Sequence, residues 1–192
     1  MGTFDGDSQD DRKLWHTYLY WARERAMTSS SAIPVPGVIV DDPVNRVDSS
    51  IGKSLQAILF SSFALEYRLK RVLICMNVSF SKKETMGPFL KQFWGRLRAV
   101  ARLDGCGNCS APAGWQGLEP HLKRLVDLRN SIAHANYTET LNFLSVGANP
   151  QQQARDFYNY VVDAIRLVNE GTGYDTRSNE ELDEYFRPLK VT

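Results

Sequence analysis

From Ile51 to Met76 the chain repeats itself at seven-residue intervals. Ile51, Ile58, Leu65 and Val72 make one apolar row, Leu55, Ser62, Leu69 and Met76 a second, with Leu59 and Leu73 alongside. A helical period held for that long demands one long helix with two adjacent buried rows, and such a helix needs other helices around it. Glu66 breaks the row of Leu59 and Leu73, falling seven residues from each. It therefore borders the apolar face, where a carboxylate either keeps its head in water or meets a cation.

The rest of the chain repeats the helical period. A first helix is expected from a cap at Asp10 or Asp11 to about Ser29, with Leu14, Tyr18, Trp21 and the stem of Arg25 beside Trp15, Leu19 and Ala22 on its apolar face. The Pro-rich SSSAIPVPGVIVDDPVN after it reads as a surface linker. A third helix spans roughly Glu84 to Leu103, burying Phe89, Leu90, Phe93, Leu97 and Val100, and DGCGNCSAPAGWQG breaks it. A fourth starts near Leu118, with Pro120 in its first turn. A fifth has Asn149 as cap, Pro150 at its first position and Gly171 as its stop, and Ser178 with Glu181 makes a capping box for a short last helix ending before Pro188. No strand pair is visible. The expected fold is all-α: an antiparallel up-down helical bundle at 49–192, with an extra N-terminal helix and linker at 1–48 packed on it and a short helix at the C-terminal end.

At 192 residues and 43% hydrophobic, the chain suits one sizeable core. Its formal net charge of +1 gives no overall pull toward polyanions, but the distribution is uneven. Between Arg68 and Arg102 stand nine Lys or Arg against Glu84 alone. Such a segment is either a solvated cationic face or a surface for a polyanion, with Lys82, Lys83, Arg96 and Arg98 as the candidate contacts and Lys123 on the next helix beside them. Three cysteines without an apolar leader point to a reducing cytoplasm, and nothing approaches the ~20 apolar residues of a membrane span.

The residue that fits worst is Arg129, in LVDLRNSIAHANY. With Arg129 at zero on a helical wheel, Leu122 lies at about 20°, Leu118 at about −20°, Leu125 at about −40° and Val126 at about 60°. The guanidinium thus sits mid-stripe. Unpaired burial would cost several kcal/mol, so its head must meet a carboxylate such as Glu66, carbonyls, a phosphate or a second subunit. His134 lies about 140° further round, on the face of Lys123, Asp127 and Asn130.

This stretch resembles the R-x-x-x-x-H motif of HEPN domains, all-α bundles of prokaryotic toxins, phage-defence proteins and RNA-guided effectors. Arg129, the polar Asn130 after it and His134 match the three positions, and SSFALEYRLKRVL is similar to the family's long leading helix. The resemblance implies a HEPN-like fold over residues 50–170 and a metal-independent endoribonuclease. RNA would be cut by its own 2′-hydroxyl, with His134 as acid and base, Arg129 on the phosphate, and Asn130 orienting the histidine or holding a phosphate oxygen. It also implies a homodimer with a composite site, RNA as substrate, an antitoxin or effector partner, and neither cofactor nor metal. Glu66 and Tyr137 would support the site. Members controlled by nucleotidylation carry a Tyr two residues after the His; here Asn136 holds that place and Tyr137 follows, so that control is not expected. The alternative implied is a noncatalytic HEPN-like dimer that binds RNA or protein.

Cys106-Gly-Asn-Cys109 with His121 offers three zinc ligands where four are needed, and the expectation is two loop thiols without a metal. The Trp and Tyr side chains of the first helix have the spacing of core residues, with base stacking the lesser expectation.

Overall fold

The computed structural model describes residues 9–28, 49–81, 83–104, 109–136, 138–140, 149–173 and 178–192. All regular structure among them is helical: α1 (Gln9–Thr28), α2 (Ser49–Cys75), α3 (Met86–Asp104), α4 (Trp115–Ala133), α5 (Pro150–Thr172) and α6 (Asn179–Phe186), then a 3-10 turn at Arg187–Leu189. The linker expected between α1 and α2 lies outside the described residues. No helix among them is long and apolar enough to cross a membrane.

The heptad helix is the axis of the molecule. Every other long helix packs against α2, with α1 and α5 making the most extensive contacts and α4 and α3 smaller ones. Its buried positions divide by size. Ala57, Ser61 and Ala64 are small and fully buried, and Ala22 and Ala26 of α1 are too, so the two backbones approach closely. Ile58, Leu65, Leu69, Val72 and Leu73 fill the remaining core with Val161, Ile165 and Val168 of α5.

Only one of the two apolar rows expected on α1 reaches that core. Trp15, Leu19 and Ala22 are buried, whereas Trp21 is 45% exposed and Tyr18 lies at the margin. The row ending in alanines can close on α2, and the bulkier row is displaced to the rim.

Two boundaries also move. α4 begins at Trp115 rather than near Leu118, which places Pro120 inside the helix. Trp115 is buried against Phe93 and Trp94, at ring separations of 6.5 and 5.2 Å, and this anchor winds the chain three residues early. α5 runs past Gly171 to Thr172 and ends on Gly173, whose φ of 59° is the left-handed cap conformation. Gly171 is small because a Cβ there would lie 2.6 Å from both Ser110 O and a Trp94 ring carbon. The marked N-termini form as read: Asn149 Oδ1 accepts from Gln151 N at 2.9 Å with Pro150 behind it, and Ser178 and Glu181 close a reciprocal capping box.

Candidate functional site

α4 presents Leu122, Leu125, Val126 and Leu128 to the core, and Arg129 sits in the same arc. Its stem is held there while the head emerges toward α2, leaving the side chain 23% exposed. The guanidinium carbon stands 5.6 Å from the centre of the Phe63 ring, a cation–π arrangement. Nη2 is 3.7 Å from Glu66 Oε2, and Nη1 donates to Asn130 Oδ1 at 2.9 Å. Glu66 turns its other oxygen to Lys70, one helical turn on. The edge-of-core carboxylate thus does meet cations, with Lys70 held closer than Arg129.

Arg129 is only partly satisfied by these contacts. Its Nε–H is buried with no acceptor among the described residues, and the Glu66 contact is longer than a hydrogen bond. An ion pair this loose and partly wet contributes at most about 1 kcal/mol. What the arrangement does best is orient a forked cation with donor capacity to spare. The Asn130 side chain accepts from Arg129, and among the described residues no hydrogen bond joins it to the His134 ring.

His134 closes the helix. Its N–H bonds to Asn130 O at 2.9 Å; Ala135 follows at φ 51°, its N–H 3.2 Å from Ile132 O, and Asn136 N–H reaches back to Ser131 O at 2.8 Å. These bonds form a Schellman cap with alanine where glycine is usual. The chain is then pinned from beyond the cap, since Ser131 Oγ donates to Glu139 Oε2 at 2.6 Å and Asn136 Oδ1 accepts from Glu139 N at 3.4 Å. The imidazole is exposed on this braced turn at the C-terminal end of α4. No hydrogen bond or ion pair joins it to Arg129 among the described residues; within one chain the two groups diverge, as the helical spacing requires.

The other expected residues are scattered. Tyr137 and Lys82 lie outside the described residues, as does Cys106. Lys83 is exposed. Arg96 is occupied with Glu84 at 2.7 Å and Gln92 at 2.6 Å and lies over Phe89, so the lone acid of the basic segment holds one of its cations in place. Arg98 is exposed and bonds weakly back to Trp94 O at 3.4 Å. Lys123 lines a cleft of about 570 Å³ between α3 and α4, where Lys91 and Lys123 are balanced by Glu119 and Asp127 over Leu90 and Val126. Cys109 is buried, and His121 lies face to face with Tyr160 at 4.0 Å. Among the described residues no group of three or more metal-ligating side chains assembles.

A second core cation escaped the sequence reading. Arg68 of α2 is 6% exposed, donates to the buried Asn169 of α5 and stacks on Trp15 at 5.0 Å. Its signal was the one used for Arg129: Arg68 lies between Leu65 and Val72 on the buried row. Partial burial, and then the Arg68 charge beside it, lower the His16 pKa below its ordinary 6.5.

No family model, no curated protein and no solved structure matches the chain.

Proposed function

We propose that the chain is a metal-independent endoribonuclease of the HEPN type, an antiparallel bundle working as a cytoplasmic toxin or phage-defence effector under the restraint of a partner. The observation that carries this reading is Arg129: a guanidinium fixed over Phe63 at the edge of the core, its side chain partly exposed, five residues before an imidazole on a braced turn. A forked, permanently charged donor suits phosphorane oxygens, and an exposed imidazole suits proton transfer near neutrality. Because the two diverge within one chain, the working site pairs the α4 end of one copy with that of a second. The 2′-hydroxyl gives its proton to an imidazole and bonds to phosphorus. The P–O5′ bond then breaks and the 5′ oxygen takes a proton from an imidazolium, leaving a 2′,3′-cyclic phosphate and a 5′-hydroxyl.

The test is cleavage of labelled RNA in EDTA. The wild type should give cyclic-phosphate ends, and His134→Ala should slow cutting by about 10²–10⁴-fold, the usual worth of a general acid–base group. Cutting that stops with chelation, or that continues undiminished in His134→Ala, overturns the mechanism. A noncatalytic RNA-binding module is the second reading. It is favoured by Glu66 and Asn130, which already occupy one edge of Arg129, and binding without cutting would select it.

A further inference from the structure

Four helices pack on α2, and among the described residues one of its faces is left partly open. On its helical wheel, with Phe63 at zero, α1 seats over Ala57 and Ala64 at about 120° and 100°, α4 reaches it at Glu66 near about −60°, and α5 meets it at Arg68 near about 140°. Among the described residues the arc between these contacts holds Gln56, Phe60, Phe63 and Tyr67, and Lys70, paired with Glu66 and 5.8 Å from the Phe89 ring of α3, closes one end. Tyr18 of α1 leans over it, with ring centres 6.2 Å from Phe60, 5.4 Å from Phe63 and 5.5 Å from Tyr67, and Trp21 lies 5.5 Å from Phe60. The result is a shallow aromatic groove with Trp21 and Tyr67 as its two most open rings, 45% and 43% exposed. Arg129, stacked on Phe63, stands at its wall.

Its chemistry narrows the occupant. α1 and α2 run in opposite senses here, since Tyr18 reaches Tyr67 while Trp21 meets Phe60, so Arg25, one turn beyond Trp21, falls at the Lys53 end. Arg129 and Lys70, both drawn to Glu66, stand beside the rings, and Arg25, Lys53 and Arg71 on neighbouring turns of α1 and α2 leave the positive charges in excess of Glu66 and Glu24. A second copy seated along this groove would bring like charges face to face. Rings interleaved with cations are what an unpaired polyanion with flat bases requires, because each base offers a π-face and each phosphate a charge. From Lys53 to Lys70 the groove runs about 25 Å, room for several nucleotides.

We infer that the groove between α1 and α4 is a stacking subsite for unpaired nucleobases, with Trp21 and Tyr67 as its platforms and Arg129 taking the adjoining phosphate. The inference rests on the ribonuclease reading and adds where the strand lies: across α1 and α2, not along the basic α3.

The experiment uses the full chain and a 2′-O-methyl oligonucleotide, which cannot be cut, either single-stranded or as its duplex, read by fluorescence anisotropy. The single strand should bind the wild type more tightly and quench Trp21 emission. Trp21→Ala and Tyr67→Ala should each weaken single-strand binding about tenfold and leave duplex binding unchanged, while Tyr67→Phe, which keeps the ring, should bind as the wild type does. Circular dichroism of each variant confirms folding, and Tyr67→Phe gives a second readout if Tyr67→Ala unfolds. If the wild type cuts RNA yet both alanine variants keep its single-strand affinity, the stacking subsite is wrong and the ribonuclease reading stands. If the wild type neither binds nor cuts RNA, both fall. A wild-type dimer that Trp21→Ala turns into a monomer without changing RNA affinity would show the groove to be a self-interface, which also overturns the inference.

Discussion

Arg129 and Arg68 show how one side chain can satisfy the core and still differ in availability. Both lie on buried rows, but Arg68 is 6% exposed, donates to a buried amide and stacks on Trp15, whereas the Arg129 side chain is 23% exposed and its head reaches the rim. The Arg68 charge also reaches His16, whose pKa is lowered first by partial burial and then by that guanidinium. With its folded pKa depressed, His16 binds fewer protons folded than unfolded below pH 6.5. Its contribution to stability is therefore complete above pH 6.5 and is lost as pH falls through the folded value. His16→Asn should flatten the decline of the urea midpoint in that window; an unchanged decline would show that other groups cause it.

At the scale of the element, two helix ends carry the consequences. The α4 cap places Ala135 at φ 51°, where a Cβ costs roughly 1–2 kcal/mol. Ala135→Gly relieves that cost and gives back part of it through the freer unfolded chain. The expected net gain is roughly 0.5–1 kcal/mol in urea unfolding, with the His134 turn unchanged. Gly171 behaves in the opposite way. Alanine there would gain about 1 kcal/mol of helix propensity. However, its Cβ meets a backbone carbonyl and an indole ring at 2.6 Å and Pro112 Cδ at 2.8 Å, none of them the far end of a flexible side chain. Overpacking of this kind costs about 1–3 kcal/mol, so Gly171→Ala should lower stability, and a rise in melting temperature would contradict the packing described here.

Across the whole molecule, the C-terminal segment is strapped back onto α5. Tyr158 O–H donates to Leu189 O at 2.9 Å, Asn159 exchanges two hydrogen bonds with Val191, and Lys190 pairs with Asp163 at 2.7 Å. Burial raises the Tyr158 pKa from 10.0 to about 12. The folded chain thus holds a proton there that the unfolded chain has lost, and stability should fall as pH rises from 10 toward 12. Tyr158→Phe should remove that alkaline slope and cost about 1 kcal/mol at neutral pH for the lost hydrogen bond. Retention of the slope in the variant would place its origin elsewhere.

Periodicity and capping chemistry are local, and they were legible in the residues themselves. The long heptad rows, the Asn149-Pro150 start, the Ser178/Glu181 box and the misfit of Arg129 in an apolar stripe all follow from spacings of seven residues or fewer. What depends on a distant surface was decided only by packing. Trp115 winds α4 early because Phe93 and Trp94 receive it, and Gly171 proves to be a packing glycine inside α5, crowded by a loop and an indole, while Gly173 ends the helix. Trp21 is left exposed because the alanines on the next row of α1 sit deeper against α2. The same holds for the candidate site. The sequence places a guanidinium and an imidazole on divergent faces of one helix, but the choice of Phe63, Glu66 and Asn130 as neighbours belongs to the tertiary structure. A helical wheel fixes angles about one axis, and only the helices that close around it decide which faces remain open.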